Sequence, residues 1–204
     1  MNHPSNSNND SKRIARTAAV LAAAATIGMA LAAQSAHANS DTATDKAARG
    51  KYLVSTSGCH DCHTPFKMGA TGPEPDMSRM LSGHPEGLVM PPAPKLPEGP
   101  WLMTAAATNT AWSGPWGVSF TANLTPDPDT GLGKWTAKNF KDTIRTGRHM
   151  GRGRPVLPPM PIPVYNNFTD ADIEAIFSYL PTIPVVKNRV PEPWAPAGTV
   201  AAAQ

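Results

Sequence analysis

Proline sets the first limit on what this chain can become. The chain holds 23 prolines and 16 glycines in 204 residues, and only 16% of its residues are charged. A proline inside a helix removes a backbone donor and clashes with the preceding turn, and inside a sheet it breaks the ladder. Coiled coils and helix bundles built from charged helix formers are excluded, and so is a regular alternation of strands and helices. At roughly 150 residues per domain, the length supports one domain. The formal net charge of +3 comes from 18 basic and 15 acidic residues. Lys12, Arg13 and Arg16, against Asp10, lie ahead of residue 17, so the remainder is nearly neutral. A nucleic-acid-binding face needs a basic surplus that this balance lacks.

Residues 11–16 are basic, residues 17–33 carry no charge, and Ala36-His37-Ala38 offers small residues at both positions of an A-x-A site. That order is the order of a secretory signal. The uncharged run is short and Ala-rich for a bilayer span of ~20 residues. The expectation is a signal peptide over 1–38, cleaved after Ala38, and an exported, periplasmic chain over 39–204 with no integral membrane span. The folded core is expected over about 44–183, with an extended, fraying tail over 184–204.

Three helices are legible. The first covers Thr44 to Ser55, where Ala47, Gly50, Leu53 and Val54 share one face. The second runs from Trp135 to Arg148, with Thr136 as cap and Gly147 at its end. The third runs from Thr169 to Leu180. Thr169 and Asp172 suit a capping box, Ile173, Ile176, Phe177 and Leu180 form an apolar stripe, and Pro181 stops it. Between the first two lies a stretch from Pro65 to Pro115 with ten prolines and no periodicity. It carries Met and Trp side chains, so it is expected to pack over something rather than hang free.

The two cysteines of the chain stand in Cys59-His60-Asp61-Cys62-His63. Such a pair suits a redox-active disulfide, half of a zinc site, or attachment of a c-type haem. The haem reading explains more. Two thioethers fix the macrocycle, and the following His63 stands beneath the iron. Export fits, because such haems are attached outside the cytoplasm. A thioredoxin-type site wants a preceding strand, and here a helix precedes. A single C-x-x-C-H implies one covalent haem.

Gly50-Lys51-Tyr52-Leu53-Val54 ahead of Cys59-His60-Asp61-Cys62-His63-Thr64-Pro65, with a last helix ending Ile176-Phe177-Ser178-Tyr179-Leu180, resembles a class I (monohaem) c-type cytochrome. Asn123-Leu124-Thr125-Pro126-Asp127, Thr130-Gly131-Leu132-Gly133-Lys134-Trp135 and Ile144-Arg145-Thr146-Gly147-Arg148 are similar to haem modules in cytochrome subunits of bacterial dehydrogenases. The resemblance implies a mainly α, small helical fold around one covalent haem, enlarged by the long Pro/Gly-rich loop. It implies that the first and last helices cross at Gly50 against Phe177 or Tyr179. It also implies redox partners: a dehydrogenase, other cytochromes or an oxidase.

The second axial ligand has nine candidates downstream: Met68, Met77, Met80, Met90, Met103, Met150, Met160, His84 and His149. Four prolines stiffen the loop around Met160, and the resemblance points to the same residue. Met150 and His149 are the alternatives. His84, in a Gly-His-Pro turn, is expected at the surface or in a lid. Trp116, Asn123, Trp135, Arg145 and Arg148 are expected around the haem propionates, since Arg and Trp N–H donors suit carboxylates. With His and Met ligands the iron is closed, which suits electron transfer. An open distal site would instead mean an enzyme or a sensor of peroxide or gas. The middle loop is expected to cover a haem edge or dock a partner.

Overall fold

A computed structural model of the chain describes residues 42–196. The expected signal segment over 1–38 and the tail beyond 196 lie outside the described residues. Backbone contacts divide the chain after Asp45. The unit Lys46–Gln204 holds the core, the cavity and all but the first turn of the first helix. Among the described residues no helix is long and apolar enough to cross a membrane.

Helix α1 runs over residues 42–56. It is followed by the short α2 (Cys59–His63), then α3 (Ala137–Thr146), α4 (Ile162–Tyr165) and α5 (Asp170–Tyr179). Local chemistry fixes the ends of α3 and α5. The Thr136 side chain accepts from the backbone N–H of Asn139, the Asn139 side chain accepts from that of Thr136, and Gly147 closes α3 at φ 63°. Thr169 caps α5 by accepting from the N–H of Asp172. These are the capping residues expected from the sequence.

Helices α1 and α5 cross at Gly50. A Cβ there would stand 1.9 Å from the Ala175 carbonyl oxygen and 2.9 Å from Cβ of Tyr179. Tyr179 is thus the aromatic residue at the crossing. Phe177 turns to α3 and meets Phe140 at a ring distance of 5.5 Å. Exposed ion pairs Lys46–Glu174 and Arg49–Asp172, each at 3.0 Å, flank the crossing and add little energy. The main core joins Leu53 and Val54 to Leu81, Leu132, Ala175, Ile176, Leu180 and Ile183.

The middle stretch is more ordered than its composition suggests. Strands β1 (Phe66–Met68) and β2 (Pro73–Pro75) pair antiparallel, and β3 (Thr104–Ala105), β4 (Ala111–Gly114) and β5 (Gly117–Phe120) form an antiparallel sheet. Prolines are tolerated in β2 because a two-stranded ladder leaves one side of each strand open. The fold is therefore helices with short strands rather than helices and a bare loop.

His84 is buried, not at the surface. Its Nε2–H donates to the Leu88 carbonyl at 3.0 Å, so its Nδ1 accepts from the Thr110 hydroxyl at 3.0 Å. Over residues 184–196 the tail forms no helix and only one isolated bridge, at Trp194, yet it is anchored. Asn188 donates to the carbonyls of Ser82 and His84 and accepts from the Arg79 guanidinium and the Glu86 N–H. Farther on, Trp194 and Val118 exchange two backbone hydrogen bonds.

Two outcomes follow. Gly50→Ala forces α1 away from α5 and lowers stability by about 1–3 kcal/mol, read from denaturant unfolding. Burial holds His84 below the ordinary imidazole value of 6.5. The unfolded chain takes up a proton that the fold refuses, so this stability is complete above about pH 6.5 and lost as pH falls below it. Unfolding midpoints measured across that range should fall on acidification, with a shallower slope in His84→Gln.

Candidate functional site

One large cavity, of about 1000 Å³, lies against α2. That volume is at the upper end of pockets that hold small molecules and cofactors. Cys59, Cys62 and His63 line it on one side, and Met160, Pro159 and Pro161 also line it. The chain reaches α2 through Gly58, whose left-handed φ of 76° starts the short helix. This turn is what lets α2 follow α1 within two residues.

Cys59 and Cys62 form no disulfide and are half-buried. Burial pushes the Cys59 thiol up to about 11, so it stays protonated at neutral pH. The Tyr165 hydroxyl, from α4, donates to the Ser57 carbonyl just ahead of the motif. Burial also raises the Tyr165 hydroxyl well above its usual value.

His63 has a defined tautomer. Its Nδ1 stands 2.8 Å from the Ala122 carbonyl oxygen. A carbonyl only accepts, so Nδ1 carries the hydrogen and Nε2 keeps its lone pair. Burial lowers the ring below the ordinary imidazole value, which favours the neutral form. A neutral imidazole with its second nitrogen fixed by a carbonyl is the form that ligates a metal. Two cysteines spaced for thioether attachment and one such imidazole against one cavity are what a c-type haem requires. Among the described residues no cluster of three or more His, Cys, Asp or Glu side chains is arranged to hold an ion by itself.

Three of the nine axial candidates line the cavity: Met160, Met150 and His149. Met150 has a left-handed φ of 51°, and His149 packs edge-on against Trp135 at 5.0 Å. Of the others, Met80 packs on the main core and Met90 on the small cluster of Ala111, Val118 and Phe120. Met68 and Met77 are exposed.

The residues expected near the propionates divide. Asn123 and Trp135 line the cavity. Asn123 has its amide hydrogens engaged, on the Val186 carbonyl at 2.8 Å and the Thr130 hydroxyl at 3.2 Å. Its role is to hold the loop, not to donate into the cavity. Arg145, Arg148 and Trp116 lie outside the lining. Arg145 donates to Asp170 and to the carbonyls of Asn166 and Phe168. It locks α3 to the turn between α4 and α5. Arg148 donates to the Gly153 carbonyl. The Trp116 ring packs on Gly114, where a Cβ would meet it at 2.6 Å. No residue of 64–118 lines the cavity, so the middle loop does not cover it. Sequence reasoning missed the Ala122 carbonyl and the tail residues Lys187, Arg189, Val190 and Glu192, which also line the cavity. No residue pattern marks a backbone carbonyl as a partner, and the tail has no periodicity to read.

The cytochrome c family model matches residues 47–184. The chain therefore belongs to the cytochrome c family, and its cofactor is the covalently bound haem c of that family. It is 34% identical to a nicotinate dehydrogenase subunit of Pseudomonas putida over 43% of this chain and 7% of that one. It is 30% identical to the cytochrome c subunit of the quinone-dependent alcohol dehydrogenase of Gluconobacter oxydans over 76% of this chain and 25% of that one. It is 26% identical to the fructose dehydrogenase cytochrome subunit of Gluconobacter japonicus over 72% of this chain and 24% of that one. The chain thus spans a quarter or less of the length of these relatives.

Because Arg145 binds carbonyls and Asp170 outside the cavity, Arg145→Ala should lower stability by about 1.5–3 kcal/mol. The haem midpoint potential should not move. Denaturant unfolding and a spectroelectrochemical titration of the same sample check both halves.

Proposed function

We propose that this chain is an exported monohaem electron carrier that works with, or as part of, a dehydrogenase. Cys59 and Cys62 would hold the haem through thioethers, and His63, with its Nε2 lone pair free of the Ala122 bond, would bind the iron. Met160, which lines the same cavity, would supply the second ligand. The observation that carries the reading is the shared cavity, where the C-x-x-C-H helix and the Pro-flanked Met160 are both wall residues. The prolines around Met160 reduce the freedom of its loop, so little order is lost when the sulfur is held. Trp135, half-buried, also lines this cavity and would pack against the haem.

When bound, the haem supplies one-electron redox chemistry. The chain's own work is to keep water off the iron, to fix His63 in one tautomer and to leave an edge open to partners. The names of the relatives support a dehydrogenase as electron donor. The export pattern of residues 1–38 supports the periplasm as the place of work.

A second reading has an observation of its own. Met150 and His149 also line the cavity, so either can supply the distal ligand, and loss of all three leaves an open site. Visible spectra separate the cases. The oxidised wild-type protein should be low-spin, show a Met–iron charge-transfer band and ignore carbon monoxide. Met160→Ala should lose the band and bind carbon monoxide when reduced. A band that survives in Met160→Ala and vanishes in Met150→Ala gives the role to Met150.

A further inference from the structure

The tail over 185–196 lies beyond the residues matched by the cytochrome c family model. It still forms part of the cavity wall, through Lys187, Arg189, Val190 and Glu192 among others. It is held at several points. The Val186 N–H donates to Thr125 at 3.2 Å and the Asn188 N–H to Thr130 at 3.0 Å. The Val186 carbonyl takes the Asn123 amide, and the Trp194 indole packs on Phe120 at 5.4 Å. Asn188 is 1% exposed and bonded on the far side. The residues on either side of it, Lys187 and Arg189, line the cavity, as alternation along an extended segment requires.

The charges in the wall are unequal. Its cations are Lys134, Arg154, Lys187 and Arg189, and its carboxylates are Asp61, Asp129 and Glu192. Lys134 pairs with Asp129 at 2.8 Å and Arg154 with Glu192 at 3.3 Å. Lys187 and Arg189 form no ion pair among the described residues. Other charges bear on them. Asp127 and Asp129 feel the charge of Lys187, and Glu86 accepts from the backbone N–H of Arg189 at 3.0 Å. Asp61 sits on α2 itself, beside the cysteines.

Haem c brings two carboxylates of its own, on the macrocycle edge away from the two carbons that join the cysteines. Thioethers at Cys59 and Cys62 therefore turn that edge away from α2, towards other walls of the cavity. We infer that the C-terminal strap is the haem's carboxylate-binding wall, with Lys187 and Arg189 as the cations that receive the propionates. This rests on the reading of the cavity as the haem site. Two cations near the propionates offset their negative charge at the iron and favour the reduced state. Lys187 and Arg189 are thus positioning residues that tune the potential, and no bond to them forms or breaks.

The test uses the haem-loaded protein. Midpoint potentials are measured by spectroelectrochemistry, across pH and salt, for wild type, Lys187→Gln/Arg189→Gln and Lys95→Gln. Lys95 lies on the middle loop, outside the cavity, and shows what the loss of a distant positive charge does. The double variant should keep the wild-type axial-ligand spectrum, show a lower potential and titrate its propionates at higher pH. Lys95→Gln should leave both at the wild-type values. The charge-keeping variant Lys187→Arg/Arg189→Lys should stay near wild type, and it decides the matter if the neutral variant does not load haem. A neutral variant whose potential and pH profile match those of Lys95→Gln overturns the inference, as does a charge-keeping variant that behaves like the neutral one. Failure of the wild-type chain to hold haem at Cys59 and Cys62 would defeat the site reading itself, and a haem stain of the denatured protein detects that separately.

Discussion

The cavity is organised around one hydrogen bond, from His63 Nδ1–H to the Ala122 carbonyl at 2.8 Å. It fixes the imidazole tautomer, and it ties α2 to the segment that follows β5. That segment is itself held. Asn123 accepts from the N–H and hydroxyl of Thr125 and donates to the strap at Val186. Gly83 brings a second stretch of chain to the same place: its N–H donates to the His63 carbonyl at 2.8 Å, and a Cβ on it would meet the Thr121 and Ala122 carbonyls at 2.4–2.6 Å. Ligand, loop and strap thus form one continuous network, in which the orientation of a single ring depends on residues far away in sequence.

Helix packing supplies the other half of the frame. The Gly50 contact lets α1 rest on the backbone of α5, and α3 joins them through Phe140 and Phe177. Arg145 then fastens α3 to the carbonyls ahead of α5. Met160 lies two residues ahead of α4, which is fastened in turn to the residue ahead of Gly58 by the Tyr165 hydroxyl. The two walls that carry the iron-binding candidates are therefore both braced by the helical core.

Much of this was legible in the sequence, for definite reasons. Thr136, Gly147 and Thr169 act through local backbone bonds, so their caps can be read residue by residue. Cys59, Cys62 and His63 lie within five residues, so spacing alone makes them a unit. Arg145 was not legible in the same way. A helical Arg looks the same in sequence whether it faces a carboxylate in a cavity or carbonyls at a neighbouring turn. The strands escaped because they are two to four residues long, too short for alternation to show. His84 escaped because its partner Thr110 is brought to it from 26 residues away, just ahead of β4. Asn188 and the strap cations depend wholly on where a Pro-rich tail returns, which no local rule fixes.

The whole site turns on α2 carrying a haem by two covalent bonds. Intact mass of the purified exported chain, after extraction with acidified organic solvent, tests it most directly. The mass should equal the polypeptide plus one haem, with both cysteines closed to alkylation. A bare polypeptide with two alkylatable thiols, or with a disulfide between Cys59 and Cys62, would contradict it.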